Sequence, residues 1–233
     1  MSEPLRVALV GATGLIGGKL IEACVGREDV RLAGIARREA ALPPGARMEM
    51  FVAEPDKWSE VIEAVRPKAL VCALGTTWAK AGKDEEVFRA VDKDLVLAVA
   101  QAAKEHGVER FVSVSSVGAD PAARSFYLRA KGETDAALRK MGLHRLDILR
   151  PGLLRGQRDA DRRAGERLGI MVAPLVNLLL HGSYRRYRAI EAGEVARAAL
   201  AFAKRPAQGR FVHENDAILR AANSLALPLE ASV

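Results

Sequence analysis

Arg6-Val7-Ala8-Leu9-Val10-Gly11-Ala12-Thr13-Gly14-Leu15-Ile16-Gly17 is the stretch that decides how this chain folds. Its first five residues, Arg6 to Val10, form a short apolar and partly β-branched run, the pattern of a buried strand. Three glycines follow at once, and Leu20, Ile21 and Cys24 then recur on one face of a helix over Gly17–Val25. Gly11 permits a tight turn, Gly14 lets backbone approach a phosphate, and Gly17 lets the helix lie close to the sheet. A helix N-terminus offers unpaired N–H groups and a positive partial charge. A strand, this turn and a helix together make a seat for a dinucleotide pyrophosphate, with Thr13, Leu15 and Ile16 completing it.

Working outward, strands and helices alternate. Strands are expected over Val30–Ala36, Met48–Val52, Ala69–Leu74, Arg110–Val114 and Arg145–Leu149. Helices are expected over Trp58–Val65, Val87–His106 and Ser125–Met141, with Arg66-Pro67, Gly107 and Gly142 as stops. Such alternation means right-handed βαβ units and a doubly wound parallel sheet, the α/β Rossmann class. After Pro151 the alternation fades to a helical Ile190–Lys204 segment and a short Arg210–His213 strand. The expectation is one NAD(P)-binding domain over residues 1–233, with 151–233 contributing a small substrate lobe and a poorly ordered tail over Ala221–Val233.

The second strand ends in Ala36-Arg37-Arg38, where an NAD enzyme would place Asp or Glu for the ribose 2′-hydroxyl. A carboxylate there repels a 2′-phosphate, whereas two guanidiniums hold it with charge-assisted bonds, which favours NADP(H). Leu74-Gly75-Thr76-Thr77 ends the fourth strand, and its glycine suits close passage of a cofactor. Glu54 and Asp56 follow the third strand, and solvation is the ordinary fate of either.

Tyr127 and Lys131 lie one helical turn apart, with Ser115 and Ser116 just upstream. A phenol is a weak acid of pKa about 10, and a nearby ammonium favours its phenolate form. Lys131 can also bond a nicotinamide ribose, and a serine hydroxyl after the fifth strand can hold a substrate oxygen. The arrangement is a proton-transfer apparatus beside a dinucleotide.

Bulk properties exclude several classes. The chain has 233 residues, 49% of them hydrophobic, enough for a packed core rather than disorder. Cys24 and Cys72 are far apart in apolar runs and read as reduced core residues. His106, His144, His181 and His213 have no metal-ligand spacing, so no metal is expected. The apolar stretch Ile170–Leu180 contains Pro174 and Asn177 and is too short for a bilayer; no apolar leader opens the chain, and a cytoplasmic home is expected. Net charge is +7, much of it from Arg155, Arg158, Arg162, Arg163, Arg167, Arg185, Arg186 and Arg188. These form a solvated face or a basic rim for an anionic ligand. Aromatics are only 5%, which argues against a stacking platform for nucleic acid.

Taken together, these residues resemble the short-chain dehydrogenase/reductase superfamily over nearly the whole chain. Gly11 to Gly17, Ser116, Tyr127 and Lys131 match its cofactor turn and catalytic triad. Leu74 to Thr77, Val114 to Asp120, Tyr127 to Glu133 and Leu149-Arg150-Pro151-Gly152 are similar to the atypical branch typified by the human Tat-interacting oxidoreductase. The resemblance implies NADPH binding and oxidoreductase chemistry on a small molecule, and adds Leu74, Thr76 and Pro151 to the cofactor's neighbours. Aligned on this branch, Ser116 takes the catalytic serine's place, with Ser115 one residue away. Many extended members carry Asn on the helix after the fourth strand; here Asp92 stands in that stretch, so a relay would involve Asp92 and water. Two other readings fit: a cofactor-sensing regulator with little turnover, and a nucleotide-sugar epimerase or dehydratase. A homodimer is compatible with the sequence, although no motif specifies one.

Overall fold

The computed structural model describes residues 3–156 and 182–225. The first strand, β1 (Leu5–Val10), feeds the glycine turn and α1 (Leu15–Cys24). Then come β2 (Val30–Ala36), β3 (Met48–Val52), α2 (Trp58–Val65) and β4 (Ala69–Cys72). Next are α3 (Glu85–Arg89), a π-helical segment (Ala90–Leu95), α4 (Val96–Glu105), β5 (Arg110–Val114), α5 (Phe126–Lys140) and β6 (Arg145–Arg150). A short β7 (Leu154–Arg155) pairs in parallel with β8 (Ile190–Glu191), and α6 (Ala192–Ala203), β9 (Gly209–Glu214) and α7 (Asn215–Ser224) close the described chain.

Seven strands form one parallel sheet in the order β3-β2-β1-β4-β5-β6-β9. It is the Rossmann-type α/β sheet that the alternation predicts. Its central strands β1 and β4 are apolar on both sides because helices cover both faces. Leu20 and Ile21 of α1 pack with Val195, Leu200 and Phe202 of α6 and Ile218 of α7 on one face. Trp58 and Ile62 of α2, Val96 and Val99 of α4 and Leu138 of α5 pack on the other. The chain leaves β1 toward β2 and leaves β4 toward β5. The crevice where strand order reverses therefore opens at the carboxyl ends of β1 and β4, where doubly wound sheets take ligands.

Several elements depart from expectation. The long helix over Val87–His106 is divided: Asp84 caps α3 by accepting from the amides of Glu86 and Val87 at 2.8 and 3.1 Å, and the π-helical turn interrupts the run at Asp92. Ile190 and Glu191 form a strand rather than the start of α6. The tail does not lose order at Ala221, because Ala221 and Ala222 are buried in α7. Residues 226–233 of the expected tail, Arg158, Arg162, Arg163 and Arg167 of the basic run, and the apolar stretch 170–180 lie outside the described residues. From the stretch expected as a lobe, β9 joins the main sheet beside β6, and α6 and α7 join its core. Among the described residues no helix is long and apolar enough to cross a membrane.

Candidate active site

At the crevice Gly11 adopts φ +93°, and a side chain there would press on the Ala73 backbone at 2.7 Å. The β1 and β4 ends thus touch through bare backbone, with Ala73 N–H donating to the Val10 carbonyl at 2.9 Å. Gly17 abuts the backbone of Gly11 and Ala12, where no Cβ fits. Gly14 folds its N–H back onto the Gly11 carbonyl at 3.0 Å and is the N-cap of α1. The amides of Leu15, Ile16 and Gly17 sit in the first turn of α1, where N–H groups have no intrahelical acceptor. Thr13 and Gly14 are exposed. Ile16 packs its side chain into the core, so its backbone amide is what it could offer a ligand. This cradle fits a pyrophosphate: the glycines let β1, the loop after β4 and α1 close on one another through bare backbone, and the donors at the start of α1 are backbone N–H groups.

Arg37 and Arg38 follow β2, next to the end of β1 through the Val10–Ile35 pairing. Both are exposed, and no described residue bonds either guanidinium. Glu54 and Asp56 are exposed beyond β3. Leu74 and Thr76 are half-buried and Gly75 is exposed on the loop that leaves Ala73.

On the β5 side, two bonds fix the serine loop to the end of β6: Ser115 N–H to the Leu149 carbonyl at 2.8 Å and Val117 N–H to the Pro151 carbonyl at 2.9 Å. The adjacent serines then separate. Ser115 is buried and donates to Asp135 Oδ2 at 3.0 Å, and that oxygen also takes Arg150 Nε at 2.8 Å. Burial raises the Asp135 carboxyl above the ordinary aspartate value even though Arg150 and Ser115 act to lower it. Ser115 is therefore committed to tying β5 to α5. Ser116 is half-buried, with a long 3.4 Å contact from its Oγ to the Val117 carbonyl.

Tyr127 and Lys131 share a face of α5. The Tyr127 ring is half-buried and meets Phe88 edge-on at 5.5 Å; Phe88 in turn meets Trp78 and Phe126. Lys131 is 6% exposed, and its Nζ lies 2.8 Å from Asp92 Oδ1. The other Asp92 oxygen accepts the Thr76 N–H at 2.7 Å. Burial by itself would lower the Lys131 ammonium, but the charges of Asp92, Tyr127 and Asp135 outweigh it and hold the group above the ordinary lysine value.

Two features go beyond what the sequence reading singled out. Gly132 lies where the backbone of Asp120 and Pro121 crosses α5, closer than any Cβ allows, so the serine loop rests directly on the Tyr127 helix. Asn215 at the start of α7 accepts the Gly152 N–H at 2.8 Å and donates to the Arg188 carbonyl, which pins the turn after β6. A glycine between Lys131 and Glu133 in an otherwise good helix was a visible signal for the first; nothing local marked the second. Of the described basic rim, Arg185 and Arg186 are exposed, with carboxylates of Asp216 and Glu214 at 3.9 and 3.7 Å.

Residues 11–172, from the first glycine of the cradle onward, match the model of the NAD(P)H-binding family. The chain belongs to that family. This NAD(P)H-binding chain is 36% identical to the protein fmp52, mitochondrial, of Emericella nidulans over 68% of its own length and 71% of the relative's. It is 31% identical to the protein FMP52, mitochondrial, of Candida albicans over 93% of itself and 98% of that protein. Among solved structures, the oxidoreductase ylbE from Lactococcus lactis superposes with a TM-score of 0.65 at 20% identity, covering 95% of this chain and 96% of that one. The expectation of a cytoplasmic home does not stand, because the curated relatives are named as mitochondrial proteins. Its basis was the lack of an apolar leader, and that criterion detects secretory signals. Mitochondrial leaders are Arg-rich and amphipathic and escape it.

Proposed function

We propose that this NAD(P)H-binding protein is an NADP(H)-dependent oxidoreductase of the atypical short-chain dehydrogenase/reductase type, which reduces a carbonyl or oxidises an alcohol. The observation that carries the reading is the link through Asp92. Lys131, one turn from Tyr127, is tied by that carboxylate to Thr76 of the loop packed on the glycine cradle. A proton-transfer helix and a dinucleotide seat thereby share one crevice.

In this reading Gly11, Thr13, Gly14, Leu15, Ile16 and Gly17 hold the pyrophosphate, and Arg37 and Arg38 hold the 2′-phosphate. Leu74, Gly75, Thr76 and Pro151 flank the rest of the coenzyme. The bound coenzyme supplies the hydride. Tyr127 gives its phenol proton to the substrate oxygen, a role worth about 10²–10⁴ in rate. Ser116, free of the structural bond that occupies Ser115, donates a hydrogen bond to the same oxygen. Lys131 stabilises the phenolate left behind and bonds the coenzyme's ribose.

Replacing Tyr127 with Phe is expected to leave NADPH affinity intact while turnover of a carbonyl substrate falls by about 10²–10⁴; unchanged turnover removes the mechanism. Affinity for NADPH should exceed that for NADH in the wild type and lose that margin in Arg37→Asp. A wild-type preference for NADH overturns the cofactor assignment.

One observation favours a second reading, a cofactor sensor with little turnover. The Asp92 carboxylate offsets the Lys131 charge that would otherwise act on the phenol. Robust turnover of simple carbonyl compounds decides for the enzyme; a partner whose affinity changes with NADPH decides for the sensor.

A further inference from the structure

We propose that Asp92 is a positioning residue for this site, an acceptor-only clamp that binds the lysine of α5 and the loop after β4 into one unit. It builds on the oxidoreductase reading, since it concerns the lysine that serves Tyr127. Three contacts converge on this residue, which is 1% exposed. Oδ1 faces the Lys131 ammonium at 2.8 Å, Oδ2 accepts the Thr76 N–H at 2.7 Å, and the Asp92 carbonyl accepts the Thr134 hydroxyl at 3.1 Å. Lys131 and Thr134 belong to α5, while Thr76 belongs to the crevice loop.

The widened turn of the π-helical segment Ala90–Leu95 is where Asp92 sits, and such turns recur at functional sites. Gly75 lies directly over the pair: a Cβ there would sit 3.5 Å from Asp92 Oδ1 and 3.9 Å from Lys131 Nζ, at ordinary contact distance.

The chemistry requires Asp rather than Asn. Both partners of the side chain, an ammonium and a backbone N–H, are donors, and an ionised carboxylate accepts at both oxygens. An Asn has one accepting end, so its NH2 would confront either Lys131 or Thr76. The asparagine that extended members of the resembled superfamily carry is thus unsuited to these two partners.

The groups that bear on Lys131 come from four elements. They are Asp92 on the π-helical segment, Tyr127 and Asp135 on α5, the Cys72 thiol at the end of β4, and Arg150 of β6 through Asp135. Burial pushes the Cys72 thiol up to about 11, so it stays neutral and contributes no charge at ordinary pH. Asp92 is the carboxylate in direct contact with the ammonium.

The test follows the Lys131 side chain by NMR titration of its Cε and Nζ signals and the Thr76 amide by hydrogen exchange, without cofactor or substrate. In the wild type Lys131 should titrate above the ordinary lysine value and the Thr76 amide should be protected; a midpoint at or below that value overturns the proposal. In Asp92→Asn, burial acts unopposed by its main counter-charge, so the Lys131 midpoint should fall by about one unit or more. The Thr76 amide should exchange faster in Asp92→Ala. Unchanged titration in the Asn variant with unchanged exchange in the Ala variant refutes the clamp. If Asp92→Asn alone does not fold, the Asp92→Asn/Lys131→Met double variant, which removes both charges, should fold; a double variant that also fails leaves the wild-type midpoint to decide. None of these readouts depends on catalysis, so failure of the clamp and failure of the oxidoreductase assignment are seen separately.

Discussion

Replacing Gly132 with Ala tests whether the serine loop lies on α5. In the middle of a helix, Gly to Ala ordinarily stabilises by about 1 kcal/mol, because it removes backbone freedom from the unfolded chain. Here the new Cβ would meet Asp120 C, Asp120 N and Pro121 N, each well inside the 3.0 Å that real Cβ atoms respect. Backbone cannot rotate away as a side-chain tip can, so the loop must withdraw from α5. Overpacking of this kind costs about 1–3 kcal/mol, which reverses the sign of the ordinary effect. The net expectation is a loss of up to about 2 kcal/mol in place of the ordinary gain, and for a chain of this size a Tm lower by up to roughly 8 °C. The loop carries Ser116; if that serine acts as proposed, a displacement on the order of 1 Å costs about 10²-fold in turnover. NADPH affinity should hold, because the cradle lies on the other side of the crevice. Gly18 supplies the control: it is in α1 with nothing within 4 Å of an added Cβ, so Gly18→Ala should raise Tm by a few degrees. Scanning calorimetry and steady-state kinetics on the two variants suffice. If Gly132→Ala is as stable as the wild type and as active, the loop does not rest on the helix and the placement of Ser116 is wrong.

Two further outcomes follow from the same geometry. Hydrogen bonds from Arg89 and Lys93 hold the Glu133 carboxyl at about 2, below its ordinary value, so its stabilisation is complete above the unfolded value near 4.3 and is lost as pH falls from there toward 2. Glu133→Gln should accordingly lower Tm at pH 6 and leave it unchanged near pH 2, with only a modest effect because the group is partly solvated; a difference that persists at pH 2 would contradict the assignment. Asn215→Ala removes the buried acceptor of the Gly152 N–H, and chemical denaturation should show a loss of about 1–3 kcal/mol.

Much of the scaffold was legible along the chain because its signals are local. β2, β3, β5 and α2 begin and end where apolar runs and breakers place them. The glycine turn declares itself through spacing, since each glycine answers to a near neighbour in sequence or to the adjacent strand end. Tyr127 and Lys131 are joined by helical periodicity alone. The resemblance put Ser116 in the catalytic place, but the bond that occupies Ser115 was hidden: it runs to Asp135, 20 positions on, whose carboxylate also takes Arg150, and it exists only after β5, α5 and β6 have assembled. The compartment was not legible either, since an apolar leader marks secretory signals alone and the curated relatives are named mitochondrial.

Composition and pattern by themselves determined a parallel α/β sheet with a phosphate cradle after the first strand, because strand and helix periods and glycine spacing are properties of short segments. Only the tertiary structure decided what Asp92 does. In sequence Asp92 stands in Val91-Asp92-Lys93-Asp94, where the resemblance suggests a relay with water and nothing local announces burial or an ion pair. The π-helical turn, burial between α5 and the loop after β4, and two donors converging from distant parts of the chain single it out. Charge pairing in a buried site depends on which residues are brought within about 4 Å, and separation along the chain does not encode that distance.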